Sequence, residues 1–124
     1  MLPDRYRLRH RRDFTAVMRG GRRCGRRDLV VHALIRDGYG PDTGEGPRFG
    51  LIVSTAVGNA VVRHRIARRL RHVAAQYVDD IPRATSVVLR ALPTAATATS
   101  AQLDEQVRSG LRKLGAVEGP GTVR

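Results

Sequence analysis

Residues 59–72, NAVVRHRIARRLRH, hold five arginines and two histidines and no carboxylate. Through this stretch and just beyond it, Val62, Ile66, Leu70, Val73, Tyr77 and Ile81 recur at intervals of three or four. At about 100° per residue they fall within an arc of about 100°. The spacing predicts one amphipathic helix across 59–81, with Pro82 behind its end. Counted from Val62, Arg71, His64, Arg68, His72, Arg65 and Arg69 fall at about 180, 200, 240, 280, 300 and 340°, and Arg63 at about 100°, on the edge of the apolar arc. One side is core and the other is nearly all cation. A merely solvated helix would intersperse glutamates at i±4; here each like-charged pair costs a few tenths of a kcal/mol. Such a face is built for an external anion. Six cationic or titratable side chains over roughly three turns extend about 13 Å, too far for a small metabolite and suited to a phosphate backbone. Just ahead, Gly58 permits a tight turn, and Asn59 can cap the first N–H groups or touch a nucleic acid.

Upstream, RRDFTAVMRGG places Phe14, Val17 and Met18 on one face of a short helix that the Gly20-Gly21 pair ends. DLVVHALIR and RFGLIVS, at 28–36 and 48–54, read as strands joined by the turn-rich DGYGPDTGEGP, and residues 22–27 as a short extra strand. Downstream come a strand in ATSVVLRAL, a polar loop in PTAATATS, and a last helix. Thr99 with Gln102 forms its capping box, Leu103, Val107, Leu111 and Leu114 its stripe, and Gly115 its stop. The order predicts a single α+β domain over 1–115, a two-layer sandwich of helices on a mixed three- to four-stranded sheet, with a loose tail at 116–124.

Of 124 residues, 23 are Lys or Arg and 11 are Asp or Glu, a formal net charge of +12. Residues 1–27 carry ten arginines against Asp4 and Asp13, a net +8, and residues 59–72 a net +5. Brought together by the fold, these two segments would form one surface with about thirteen surplus positive charges, for which the fitting partner is a polyanion. The lone Cys24 excludes an internal disulfide and suits a reducing compartment. No apolar run approaches the roughly 18 residues of a membrane span, and MLPDRYRLRHRRDF has charges where a signal peptide would be apolar. The expected location is the cytoplasm.

The stretch FGLIVSTAVGNAVVRHRIARRLR resembles the signature of the bacterial ribonuclease P protein subunit, S-K-K-x-G-N-A-V-x-R-N-R-x-K-R. Ser54, Gly58, Asn59, Ala60, Val61, Arg63, Arg65 and Arg69 carry the match, with RLRHRRDF upstream resembling the family's start. The resemblance covers residues 5–115. Thr55-Ala56 stands where the family has a lysine pair, His64 where it has asparagine, and Ala67 at the following lysine. Met18 and His32 stand where aromatics are common. The resemblance implies an RNA-dependent endonuclease that removes the 5′ leader from precursor tRNA, its catalytic Mg²⁺ held by the partner RNA. It also implies a left-handed βαβ crossover around the arginine-rich helix, against the usual hand. Partner-RNA contacts are expected from Asn59, Arg63, His64, Arg65, Arg68, Arg69, Arg71 and His72. A leader-binding cleft is expected from Arg11, Phe14, Met18, His32, Ser54, Thr55 and Arg90, with further arginines from residues 1–12.

The residues themselves offer no self-sufficient catalytic set. Asp79-Asp80 and Asp104-Glu105 are adjacent carboxylates without a third ligand at metal spacing, and helix-end solvation accounts for them. Phe14 serves either base stacking or packing. His32, alternating with Val31 and Ala33, is expected on a surface facing RNA. The reading from another class is a structural RNA-binding or ribosome-assembly protein with no part in cleavage; a third is a metal-independent ribonuclease using His64 and His72.

Overall fold

The computed structural model describes residues 2–35 and 47–116, so residues 36–46 and 117–124, most of the expected loop and tail, lie outside the described residues. A 3-10 turn at Asp4–Tyr6 leads into α1 (Arg11–Gly20), β1 (Arg22–Gly25) and β2 (Leu29–Ile35); β3 (Arg48–Ile52), α2 (Ala60–Ala75), β4 (Thr85–Ala91), a 3-10 segment (Pro93–Thr97) and α3 (Ser100–Lys113) follow. The sheet order is β1-β2-β4-β3. β2 is antiparallel to both β1 and β4, whereas β3 and β4 run parallel and are joined through α2. Their patterns explain the order. The runs LVVHA of β2 and VVL of β4 are buried on both faces and occupy the centre, while β1, RRCG, buries only Cys24 and stands at an edge.

The main core fills the layer between the sheet and α2 with α3. Leu29, Val31, Ala33, Phe49, Val87 and Leu89 point into it from the strands, and Ile66, Leu70, Val73, Leu103, Val107 and Leu111 meet them from the helices. On the opposite face α1 covers a smaller cluster, Leu8, Val17 and Val88, flanked by Phe14, Leu34 and Ile52. The Phe14 ring occupies the space beside Gly50 that any side chain there would need. The open edge of β3 is covered by the N-terminal segment: Arg7 bridges Phe49, and Leu8 N–H donates to Phe49 O at 2.8 Å.

Several expectations change. α2 ends at Ala75, not at 81; residues 76–80 continue as turns, with i→i+3 bonds from Gln76 to Val73 and Tyr77 to Ala74. Asp79 and Asp80 beyond the break would stand at the negative end of a longer helix dipole, which disfavours continuation. Tyr77 and Ile81 remain buried, 4% and 5% exposed, so their periodicity reported burial rather than helix length. The polar loop PTAATATS contains a 3-10 turn and buries Ala95 and Ala98. Ala116, taken as the start of the tail, is buried and closes α3, its N–H donating to Leu111 O. The capping box of Thr99 and Gln102 is present as expected.

Candidate nucleic-acid interface

Gly58 and Asn59 fix where α2 begins. Asn59 Oδ1 accepts from Val62 N–H at 3.0 Å, and a Cβ at Gly58 would stand 2.9 Å from the Val62 side chain. Asn59 is thus an N-cap, and its exposed amide remains accessible. Ile66 and Leu70 are fully buried, which turns His64, Arg65, Arg68 and His72 outward as exposed side chains. Arg63, Arg69 and Arg71 are half-buried at the borders. Three of these arginines are held by backbone oxygens. Arg63 Nε donates to Gly58 O at 3.2 Å, Arg65 Nη2 to Ala96 O at 3.2 Å, and Arg69 Nη1 to Ala98 O. Each guanidinium carries five donors, so one such bond orients the fork and leaves others free for an anion. The 3-10 segment after β4 therefore acts as a brace for the arginine face, a role the sequence reading missed.

On the sheet face beside α1, strand register assembles a second group. His32 lies opposite Val88 on one side and Arg23 on the other; Val88 in turn lies opposite Gly50, under Phe14. Arg90, two residues beyond Val88, shares this face. Ser54 and Thr55 are exposed in the turn that follows β3, where Ser54 Oγ accepts from Ala56 N–H at 3.3 Å. Arg11 and Met18 are exposed on α1, and Phe14 is half-buried. His32 corrects the expectation of an exposed strand histidine: it is 3% exposed, because β2 is an inner strand covered on both faces. Its Nε2 and Arg90 Nε are nevertheless buried without a hydrogen-bond partner. Burial, then the Arg90 and Arg23 charges, hold the imidazole below the ordinary histidine range. Arg23 was not singled out from the sequence; the burial of Cys24 in RRCG, with alternation along the strand, was the available signal.

β1 stands at one edge of the sheet and β3 at the other, yet Arg27 O accepts from Thr94 Oγ1 at 3.0 Å, in the same 3-10 segment whose Ala96 O accepts from Arg65 of α2. Arg7 and Arg9, near the β3 edge, share Asp4 at 3.7 and 3.4 Å. The segment 1–12 is also more than a cationic arm, since Leu2 and Leu8 are buried.

Two carboxylates, Asp104 and Asp28, serve packing. Asp104 accepts from Tyr77 Oη at 2.7 Å and pairs with Arg108 at 3.7 Å, while Arg108 Nε donates to Tyr77 Oη at 3.1 Å. Burial and that bond to Asp104 push the Tyr77 hydroxyl up to about 12. Asp28, 3% exposed, accepts from Gln106 Nε2 at 2.7 Å while its own N–H donates to Gln106 Oε1. Burial pushes its carboxyl up, but Gln106, Thr94 and Arg27 together hold it below the ordinary range. Among the described residues no three His, Cys, Asp or Glu side chains could hold a metal, and no helix is long and apolar enough to cross a membrane.

Fold and site together define a small basic α+β protein that presents a braced arginine face beside the sheet edge and two arginines, Arg23 and Arg90, on the sheet face beside α1. The family profile described as Ribonuclease P matches residues 2–115. The ribonuclease P protein component of Nocardia farcinica is 57% identical over 137 residues, covering 98% of this chain and 88% of that one. That of Mycobacterium avium is 45% identical, covering 97% and 100%. In fold, the Staphylococcus aureus RNase P protein superposes with a TM-score of 0.77 at 24% identity, over 91% of this chain and 98% of that one. The Thermotoga maritima RNase P protein superposes at 0.69 and 23% identity, over 91% and 98%. The chain belongs to the ribonuclease P protein family, whose members are subunits of a tRNA-processing endoribonuclease with an RNA partner.

Proposed function

We propose that this protein binds the ribonuclease P RNA through the outward face of α2 and the 5′ leader of precursor tRNA through the sheet face beside α1. In this reading it contributes no catalytic group, the catalytic Mg²⁺ ions being held by the RNA. The observation that carries the reading is the arginine face of α2. Its carboxylate-free arc has two guanidiniums pre-oriented by Ala96 and Ala98, an arrangement that supplies phosphate donors at reduced ordering entropy. The leader assignment is supported by Arg23 and Arg90, whose guanidiniums belong to the sheet face on which Phe14 sits over Gly50. Bound cationic side chains replace part of the divalent screening that RNA otherwise needs, so the protein lowers the Mg²⁺ requirement. The work belongs in the cytoplasm, with precursor tRNA.

The test mixes the protein with a transcribed bacterial ribonuclease P RNA and end-labelled precursor tRNA at low Mg²⁺. The expected outcome is a mature 5′ end that depends on both protein and RNA. Tight binding without any gain in cleavage would favour a structural RNA-binding protein, and cleavage without added RNA would place a catalytic centre in the protein.

A further inference from the structure

The first turn of α2 carries a side chain that phosphate binding does not use. Val61 is 73% exposed, against 44% for Ile35 and 36% for Met18, the other large apolar side chains left open among the described residues. It does not border the buried stripe. Counted from Val62 it falls at about 260°, between Arg68 at about 240° and His72 at about 280°. Within residues 60–72, the arc from about 180° to 340° otherwise holds only arginine and histidine. A single exposed valine is ordinary on a protein surface. At the middle of a cationic arc it is different, because a polar residue would be better solvated there and alanine would better support the helix.

We propose that Val61 seats against sugar and base carbons of the bound RNA, between phosphates held by Arg65 and Arg68, so that α2 contacts the face of a nucleotide as well as its charge. This rests on the reading of α2 as the RNA interface. Helical side chains lean toward the N-terminus, so His64, at i+3, leans back toward Val61, while Arg65, at i+4, is held to Ala96 O on its other side. Arg68, two turns on, stands on the same line. The cations thus bracket an apolar spot next to the exposed Asn59 and Ala60. Phosphate contacts set position without discriminating among nucleotides. A carbon surface adds a requirement that a sugar or base face be open, as it is in loops and bulges or across the shallow groove of an RNA helix. The flanking positive charge selects RNA as the occupant over an apolar protein surface, which would leave those cations desolvated.

Val61→Ala is the discriminating change: it deletes contact area, leaves the charge untouched and favours the helix, so it does not weaken the fold. The whole chain is titrated with a transcribed bacterial ribonuclease P RNA over a salt series, as parent, Val61→Ala, Val61→Thr and Arg68→Ala. Val61→Ala is expected to lose roughly five- to tenfold in affinity at every salt concentration, with the slope of log K against log[salt] unchanged. Val61→Thr, of the same shape but with one methyl exchanged for hydroxyl, is expected to fall between it and the parent. Arg68→Ala is expected to flatten the slope by somewhat less than one. If the parent binds, Arg68→Ala flattens the slope and Val61→Ala binds within twofold of the parent, the contact with Val61 is refuted while the α2 interface stands. If the parent shows no salt-dependent binding, the α2 interface fails and the Val61 contact falls with it.

Discussion

At the scale of single residues, two buried titratable groups shape successive steps of the acid limb of a pH profile. Folding holds His32 below its ordinary range, so between that lowered value and about pH 6.5 the unfolded chain binds a proton that the folded chain resists. Stability from this residue is complete above that window and is lost as pH falls through it. Thermal unfolding at pH 7.5 and 5.5 should show a larger drop for the parent than for His32→Val; equal drops would contradict the burial. Asp28 acts lower, its contribution present above about pH 4 and lost as pH falls further, because its folded-state value is depressed. Asp28→Ala strands the Gln106 amide and should cost about 1–3 kcal/mol by urea unfolding at pH 7. The burial of neither group was legible in sequence. Alternation placed His32 on the opposite face from Val31, but only the docking of α1 on one side of β2 and α3 on the other decides that both faces are covered. The Asp28–Gln106 pair spans 78 residues, beyond any local pattern.

At the scale of elements, α2 was readable because its two faces differ so sharply, and Asn59 behaves as a cap where a cap was expected. Asn59→Ala should cost about 1 kcal/mol of stability. If RNA affinity falls only in proportion to lost folding, capping is the residue's whole role; a larger fall would mean the amide also touches RNA. The end of α2 was misread because Tyr77 and Ile81 keep the helical period after the helix has stopped. Tyr77 is held across to α3 by Asp104 and Arg108, so its burial follows from docking. Tyr77→Phe keeps the ring and removes the hydroxyl that both neighbours share. It should cost about 0.5–1.5 kcal/mol in urea without changing RNA affinity. The brace from Ala96 and Ala98 to Arg65 and Arg69 was invisible in PTAATATS, since backbone carbonyls leave no mark on composition.

At the scale of the whole molecule, the α+β class and mixed sheet followed from the order of helix and strand patterns, and the family from the motif around Gly58-Asn59. Charge counting along the chain could not foresee that the segment after β4 links the two basic stretches, Thr94 donating to Arg27 O while Ala96 O accepts from Arg65. Nor could it foresee that Leu2 and Leu8 make the N-terminal segment part of the core. Deleting residues 1–12 would therefore test folding rather than leader binding. Point changes that keep the core separate the two RNA surfaces cleanly. Arg68→Ala lies on the α2 face, and Arg23→Ala and Arg90→Gln lie on the sheet face under α1. The most direct measurement is the affinity of the complex, reconstituted on a bacterial ribonuclease P RNA, for precursor tRNA and for mature tRNA, in the parent and in Arg23→Ala/Arg90→Gln. The parent should hold the precursor at least tenfold more tightly than the mature form, and the double variant should lose most of that preference while assembling with the RNA as before. Equal affinity of the parent for both tRNAs, or a variant that keeps the full preference, would contradict the leader site.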